Sequence, residues 1–103
     1  MIQVFIRVRT TDFNRWQEVF DAGRSLRQAR GQVNEQIYRS AQDPNDIAML
    51  LTWKDEESFR KGISEDPKRL SWWMHESGVL DRPVITILNE VPFTWLEANS
   101  AAS

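Results

Sequence analysis

Residues 47–63, IAMLLTWKDEESFRKGI, change character in the middle. Ile47 to Trp53 form a near-continuous apolar run of strand length, the pattern of a strand with apolar surroundings on both faces. From Lys54 onward the chain turns charged, and Asp55, Glu56 and Glu57 gather where a helix would begin. Acids in a first turn are favoured there by the helix dipole. A strand that is apolar on both parities and runs straight into a helix belongs inside a sheet that helices cover.

The flanks agree with that placement. Upstream, IQVFIRVR at 2–9 alternates, with Ile2, Val4, Ile6 and Val8 on one face and Gln3, Phe5, Arg7 and Arg9 on the other. That is a strand of period two. TTDF follows at 10–13, where Thr11 or Asp12 can cap the amides of a new helix. In that helix Phe13, Trp16, Phe20 and Gly23 recur every three to four residues, and Val19 and Leu26 widen the stripe. The helix is expected to end near Gly31, which accepts a left-handed backbone. QVNEQIYRSAQ at 32–42 reads as a second strand, and DPND at 43–46 as the turn into the third. Downstream, Asp66-Pro67 looks like a fresh helix start, so the second helical region should break around 64–66. PVITILNEV at 83–91 is the fourth strand, opened by Pro83.

The order β-α-β-β-α-β predicts an α+β, ferredoxin-like domain over residues 1–91: a four-stranded antiparallel sheet with two helices on one face. Residues 92–103, PFTWLEANSAAS, form a C-terminal extension or tail. Helices cover only one face of such a sheet, and the strands carry apolar residues on both parities. The economical solution is a homodimer that packs two sheets together. At 103 residues there is no room for a second core. A net charge of −2 argues against general nucleic-acid binding. With no Cys there is no disulfide, thiolate metal site or thiol nucleophile. The opening strand alternates rather than running apolar, so neither a signal peptide nor a membrane span is expected and a cytoplasmic protein is the default.

AMLLTWKDEESFRKGISEDPKRL at 48–70, with Trp53 ending the strand and a charged KDEESF start, resembles the antibiotic biosynthesis monooxygenase family of the dimeric α/β-barrel superfamily. The likeness runs from the first strand to PVITILNEV. It implies a homodimer in which two ferredoxin-like sheets close into a barrel. It also implies oxidation of polycyclic aromatic substrates by O₂, with no metal or flavin cofactor. In such enzymes an Asn four residues before the tryptophan and a Tyr six after it help hold the substrate. Here those positions are Met49 and Phe59, so both polar handles are missing. A haem-degrading branch shares the fold. Alignment with it sets Gly62 at its tryptophan and Trp72 near its haem-ligating histidine, with His75 about a turn away, which argues against haem degradation.

The candidate site residues follow from the residues and this likeness together. RLSWWMHESGVL at 69–80 holds two of five tryptophans and the only histidine. On a helix, Leu70, Trp73, Met74 and Ser77 share a face that packing explains. Trp72 and His75 share the next face, where they could pack at an edge or line a pocket with His75 as proton acceptor. Trp53, Met49 and Phe59, with Trp16 and Phe20 from the first helix and Trp72, are the candidate substrate-binding residues. Asn34, Gln36, Tyr38 and Ser40 share one strand face, and Glu35 and Arg39 the other. One set must be buried and find partners, which makes Tyr38 a second candidate for proton transfer. Arg24, Arg27 and Arg30 step three apart and read as a solvated helix face before an anion patch. Asp55, Glu56 and Glu57 are a helix start, not a metal site. There is no phosphate loop, nucleophile elbow or H-E-x-x-H pair.

The functional expectation is a cytoplasmic homodimer with an apolar, tryptophan-lined pocket for a small aromatic or polyketide-type metabolite, acting as a cofactor-independent monooxygenase. The alternatives are a cofactor-free cyclase or isomerase of the same fold, and a non-catalytic ligand-binding or structural dimer.

Overall fold

The computed structural model of the chain describes residues 1–64, 67–89 and 91, with the backbone alone for 63–64 and 67–70. The elements run β1 (Ile2–Arg9), α1 (Phe13–Ala22), α2 (Arg24–Ala29), β2 (Gln32–Arg39), β3 (Asp46–Trp53), α3 (Glu56–Ser64), α4 (Pro67–Glu76) and β4 (Val84–Leu88). The sheet order is β2-β3-β1-β4, and each neighbouring pair is antiparallel. This is the expected ferredoxin-like arrangement, with β1 and β3 at the centre.

Register fixes which residues meet the helices. Val4 pairs with Leu51 and Ile87, and Ile6 with Met49 and Ile85. Val4, Ile6, Val8, Ile47, Met49, Leu51 and Trp53 are buried there with Trp16, Phe20 and Phe59 in one core cluster. Trp16 is fully buried and stacks on Phe20 with ring centroids 4.9 Å apart. The other parity of the same strands carries Phe5, Ala48 and Leu50, half-exposed, and Tyr38, Val84 and Leu88, exposed.

Capping follows the sequence signals. Asp12 caps α1, its carboxylate accepting from the Asn14 amide at 3.0 Å. Asp55 does the same for α3, accepting from Ser58 N at 2.7 Å, and that hydrogen bond holds its pKa below the ordinary value. One helix was expected over 13–30, but the chain breaks it at Gly23, a residue of poor helix propensity, into α1 and α2. Gly31, at φ 118°, turns the chain into β2. α3 is described to Ser64 and α4 from Pro67, so the expected break around 64–66 falls on residues outside the described ones. The expected Asp66 cap, the Leu70 side chain and the tail 92–103 lie outside the described residues.

α4 is tied back to the sheet at its end. Thr10 Oγ1 donates to Ser77 O at 2.8 Å, Thr11 N to Gly78 O at 2.9 Å, and Leu80 N to Arg9 O at 2.8 Å. Gly78 has φ 71°, and a Cβ there would sit 2.5 Å from Thr11 Oγ1. Both the backbone conformation and the close approach therefore require glycine. No helix among the described residues is long and apolar enough to cross a membrane.

Candidate functional site

Between the helices and the covered face of the sheet lies an open-sided cleft of about 400 Å³. That is within the ~300–1,000 Å³ range of small-molecule sites. Ile6, Met49, Leu51 and Trp53 come from the central strands, and Ile85 from β4. Val19 and Phe20 come from α1, Leu26 from α2, Phe59 and Gly62 from α3, and Trp72 and Trp73 from α4.

Trp53 is the pivot of this wall. It ends β3, is buried, and meets Phe59 edge-on with ring centroids 5.5 Å apart. Its six-membered ring lies against Gly62, where an added Cβ would stand 3.4 Å from Cη2. At the mouth, Trp72 is 59% exposed although it lines the cleft. Trp73 is half-buried against the core beneath it.

The polar groups come from the first helical region. Arg27 donates from Nε to Gln32 Oε1 at 2.9 Å, from Nη1 to Phe20 O at 2.7 Å and from Nη2 to Glu35 Oε2 at 3.1 Å. Glu35 also accepts from Arg24 Nε at 2.6 Å and from Gln32 Nε2 at 2.7 Å. Burial opposes the ionisation of Glu35, but the hydrogen bonds from Gln32, Arg24 and Arg27 outweigh it and hold its pKa below the ordinary value. Burial lowers the Arg27 pKa, and the hydrogen bond and charge of Glu35 oppose that.

This network corrects one reading of the sequence. Arg24, Arg27 and Arg30 were expected to form a solvated face, but Arg24 and Arg27 turn onto Glu35, and Arg27 and Arg30 line the cleft. The missed signal was strand parity. Glu35 shares its face with Ile37 and Arg39, opposite Leu51 and Met49 of the core, so it sits under the arginine-bearing helix.

The structure brings Trp53, Trp72, Met49, Phe59 and Phe20 together around one cleft. Trp16 does not join them; it is packed wholly inside the core between Phe13 and Phe20. His75 is exposed on α4 and outside the lining, so it does not join Trp72 in the cleft as a proton acceptor. One residue decides this: α4 turns Trp73 inward and Trp72 over the mouth, which leaves His75 facing away. Tyr38 is 54% exposed on the opposite face of the sheet, its hydroxyl 3.3 Å from Gln36 Oε1. Among the described residues no His, Cys, Asp or Glu group is arranged to hold a metal.

The chain matches no protein-family model and no curated protein sequence. Its structure does match solved ones. A crystal structure of an antibiotic biosynthesis monooxygenase superposes with TM-score 0.69 at 14% identity, covering 89% of this chain and 100% of that one. SnoaB, a cofactor-independent oxygenase from Streptomyces nogalater, gives TM-score 0.68 at 12% identity, covering 87% and 94%. A monooxygenase from the gene ActVA-Orf6 of Streptomyces coelicolor, solved with Nanaomycin D, gives 0.65 at 10% identity, covering 90% and 89%. The chain therefore has the fold of the antibiotic biosynthesis monooxygenases, over nearly the whole length of the structures it resembles.

Proposed function

We propose that this protein is a homodimer whose subunits each bind a small, flat, mostly apolar aromatic molecule in the cleft, and that it oxygenates such a molecule with O₂ and no cofactor. The observation that carries the binding reading is Trp72. A large indole held 59% exposed at the mouth of a cleft walled by Trp53, Met49 and Phe59 is placed to cover a planar ligand. The oxygenase reading is supported by fold, since SnoaB is described as a cofactor-independent oxygenase.

The chemistry asks little of the protein. An acidic phenol or enol loses its proton, and the anion passes one electron to O₂. The resulting radical and superoxide combine into a carbon-bound peroxide, which takes up a proton and loses water to leave the carbonyl product. Electrons balance without an added reductant. The cleft contributes a fixed orientation and apolar walls that exclude water. His75 and Tyr38 lie away from the cleft, so the proton leaves through the open mouth to solvent.

Homodimerisation is supported by the uncovered sheet face, where Phe5, Leu50, Tyr38, Val84 and Leu88 would otherwise meet water. A second reading, a dimer that binds its ligand without turning it over, is favoured by Met49 and Phe59. They stand where the family likeness puts the polar Asn and Tyr.

Tryptophan emission titrated with a series of planar polycyclic phenols, with O₂ uptake recorded in parallel, tests both readings. Saturable quenching is expected, weakened about two- to tenfold by Trp72→Ala, the worth of a lost aromatic contact. Quenching with O₂ uptake supports oxygenation, quenching without it supports binding alone, and silence across the series contradicts the cleft's assignment.

A further inference from the structure

We infer that Arg30 makes the cleft selective for flat aromatic acids, by pairing with a carboxylate on the ligand. This deepens the proposed function and rests on its reading of the cleft as an aromatic-ligand site.

Three arginines line the cleft, and two are already committed. Arg27 spends its donors on Gln32, Phe20 and Glu35. Arg15 donates from Nη2 to Glu76 Oε2 at 2.8 Å and from Nε to Glu76 O at 3.2 Å, and stands 3.6 Å from Glu18. Arg30 differs. It is half-buried at the end of α2, and its hydrogen bond is a single long one, from Nη1 to Gly62 O at 3.3 Å. It pairs with no carboxylate among the described residues.

A guanidinium carries five N–H donors in a planar fork. One weak bond to a carbonyl fixes the group against the α3 side of the cleft and leaves most of that fork unused. Gly62, the carbonyl it grips, is also the residue on which the Trp53 ring rests. An aromatic ring lying along Trp53 would thus present its edge substituent to Arg30. The remaining acid in the lining, Glu18, sits with Arg15 on α1, which is tied to the end of α4 rather than to α3. The cleft is therefore cationic at the Arg30 end. In apolar surroundings a charged, planar donor pair is matched best by a carboxylate.

The test uses 2-naphthoic acid and its neutral near-isostere 2-naphthamide as probes, with dissociation constants from tryptophan quenching at fixed salt. Wild-type protein is expected to bind the acid about ten- to a hundredfold more tightly than the amide, the worth of a charge-assisted hydrogen bond. Arg30→Gln should abolish that preference while changing the amide constant by less than about threefold, which also reports that the variant is folded. Arg30→Lys, which keeps the charge and loses the fork, should retain only part of the preference. Equal binding of acid and amide by the wild type overturns the Arg30 assignment and leaves the aromatic cleft standing. A preference that survives unchanged in both variants also overturns it. Failure of the wild type to bind either probe removes the cleft reading and this inference together.

Discussion

The two faces of one sheet are made from alternate residues of the same four strands, and they end in different states. On the face under the helices, Val4, Val8, Ile47, Met49, Leu51 and Trp53 are all buried. On the other, Tyr38, Val84 and Leu88 are 54%, 60% and 41% exposed, beside half-exposed Phe5 and Leu50. Apolar composition alone does not separate them. The first face is completed by the subunit's own helices, with a cleft left where α3, α4 and α2 fail to close over β3. The second has apolar side chains and, among the described residues, no helix above them. That contrast underlies the proposal that the first face binds a ligand and the second pairs with another copy.

The largest effect expected of any substitution belongs to the covered face. Trp16→Ala removes a fully buried ring stacked on Phe13 and Phe20 and should cost about 3–5 kcal/mol in urea unfolding. A loss below about 1 kcal/mol would mean that the face is not the packed one. Glu35→Ala comes next, at about 2–4 kcal/mol, because it strands the part-buried Arg27 without its carboxylate.

The same network makes stability depend on pH. The native pKa of Glu35 lies below its ordinary 4.5, so its contribution is complete above that value and is lost as pH falls through the native one. Thermal melts of wild type and Glu35→Gln should therefore converge as pH drops below about 4.5, and parallel curves would remove Glu35 as a linked group. Gly78→Ala, at the tie between α4 and β1, should cost about 1–3 kcal/mol through its left-handed backbone and the clash with Thr11. Smallest of all is His75→Ala. With the imidazole exposed and outside the cleft, both stability and naphthoate binding should stay within about 0.5 kcal/mol of wild type. A tenfold loss of binding would return His75 to the site.

Periodicity made the architecture readable. β1 was legible to the residue because Ile2 to Arg9 alternate cleanly. The break at Gly23 was not legible, since glycine is also tolerated inside a helical stripe and Gly23 fell on the apolar one. In the site, Trp53, Met49 and Phe59 were found through the family likeness, with strand parity placing Trp53 and Met49 on one face, and Phe20 was found by helical spacing. Trp72 against Trp73 could not be settled, nor could His75, because a rotation of α4 by one residue exchanges which of them points inward. Trp16 illustrates a related limit: the same face of α1 supplies core and cleft, and only the packing of Phe13 and Phe20 around the indole separates the two. Glu35 looked like one of two equivalent faces of β2 until the pairing with β3 placed it beneath α2.

Sedimentation equilibrium of the wild-type chain and of Leu50→Arg tests the division of labour between the two faces most directly. Leu50 lies at the centre of the open face, paired with Phe5 and Gln36, and contributes nothing to the buried core. The wild type should be a dimer at low micromolar concentration, and Leu50→Arg a folded monomer with an unchanged helical signal. A wild-type chain that sediments as a monomer at that concentration would contradict the assignment of the open face to a second copy.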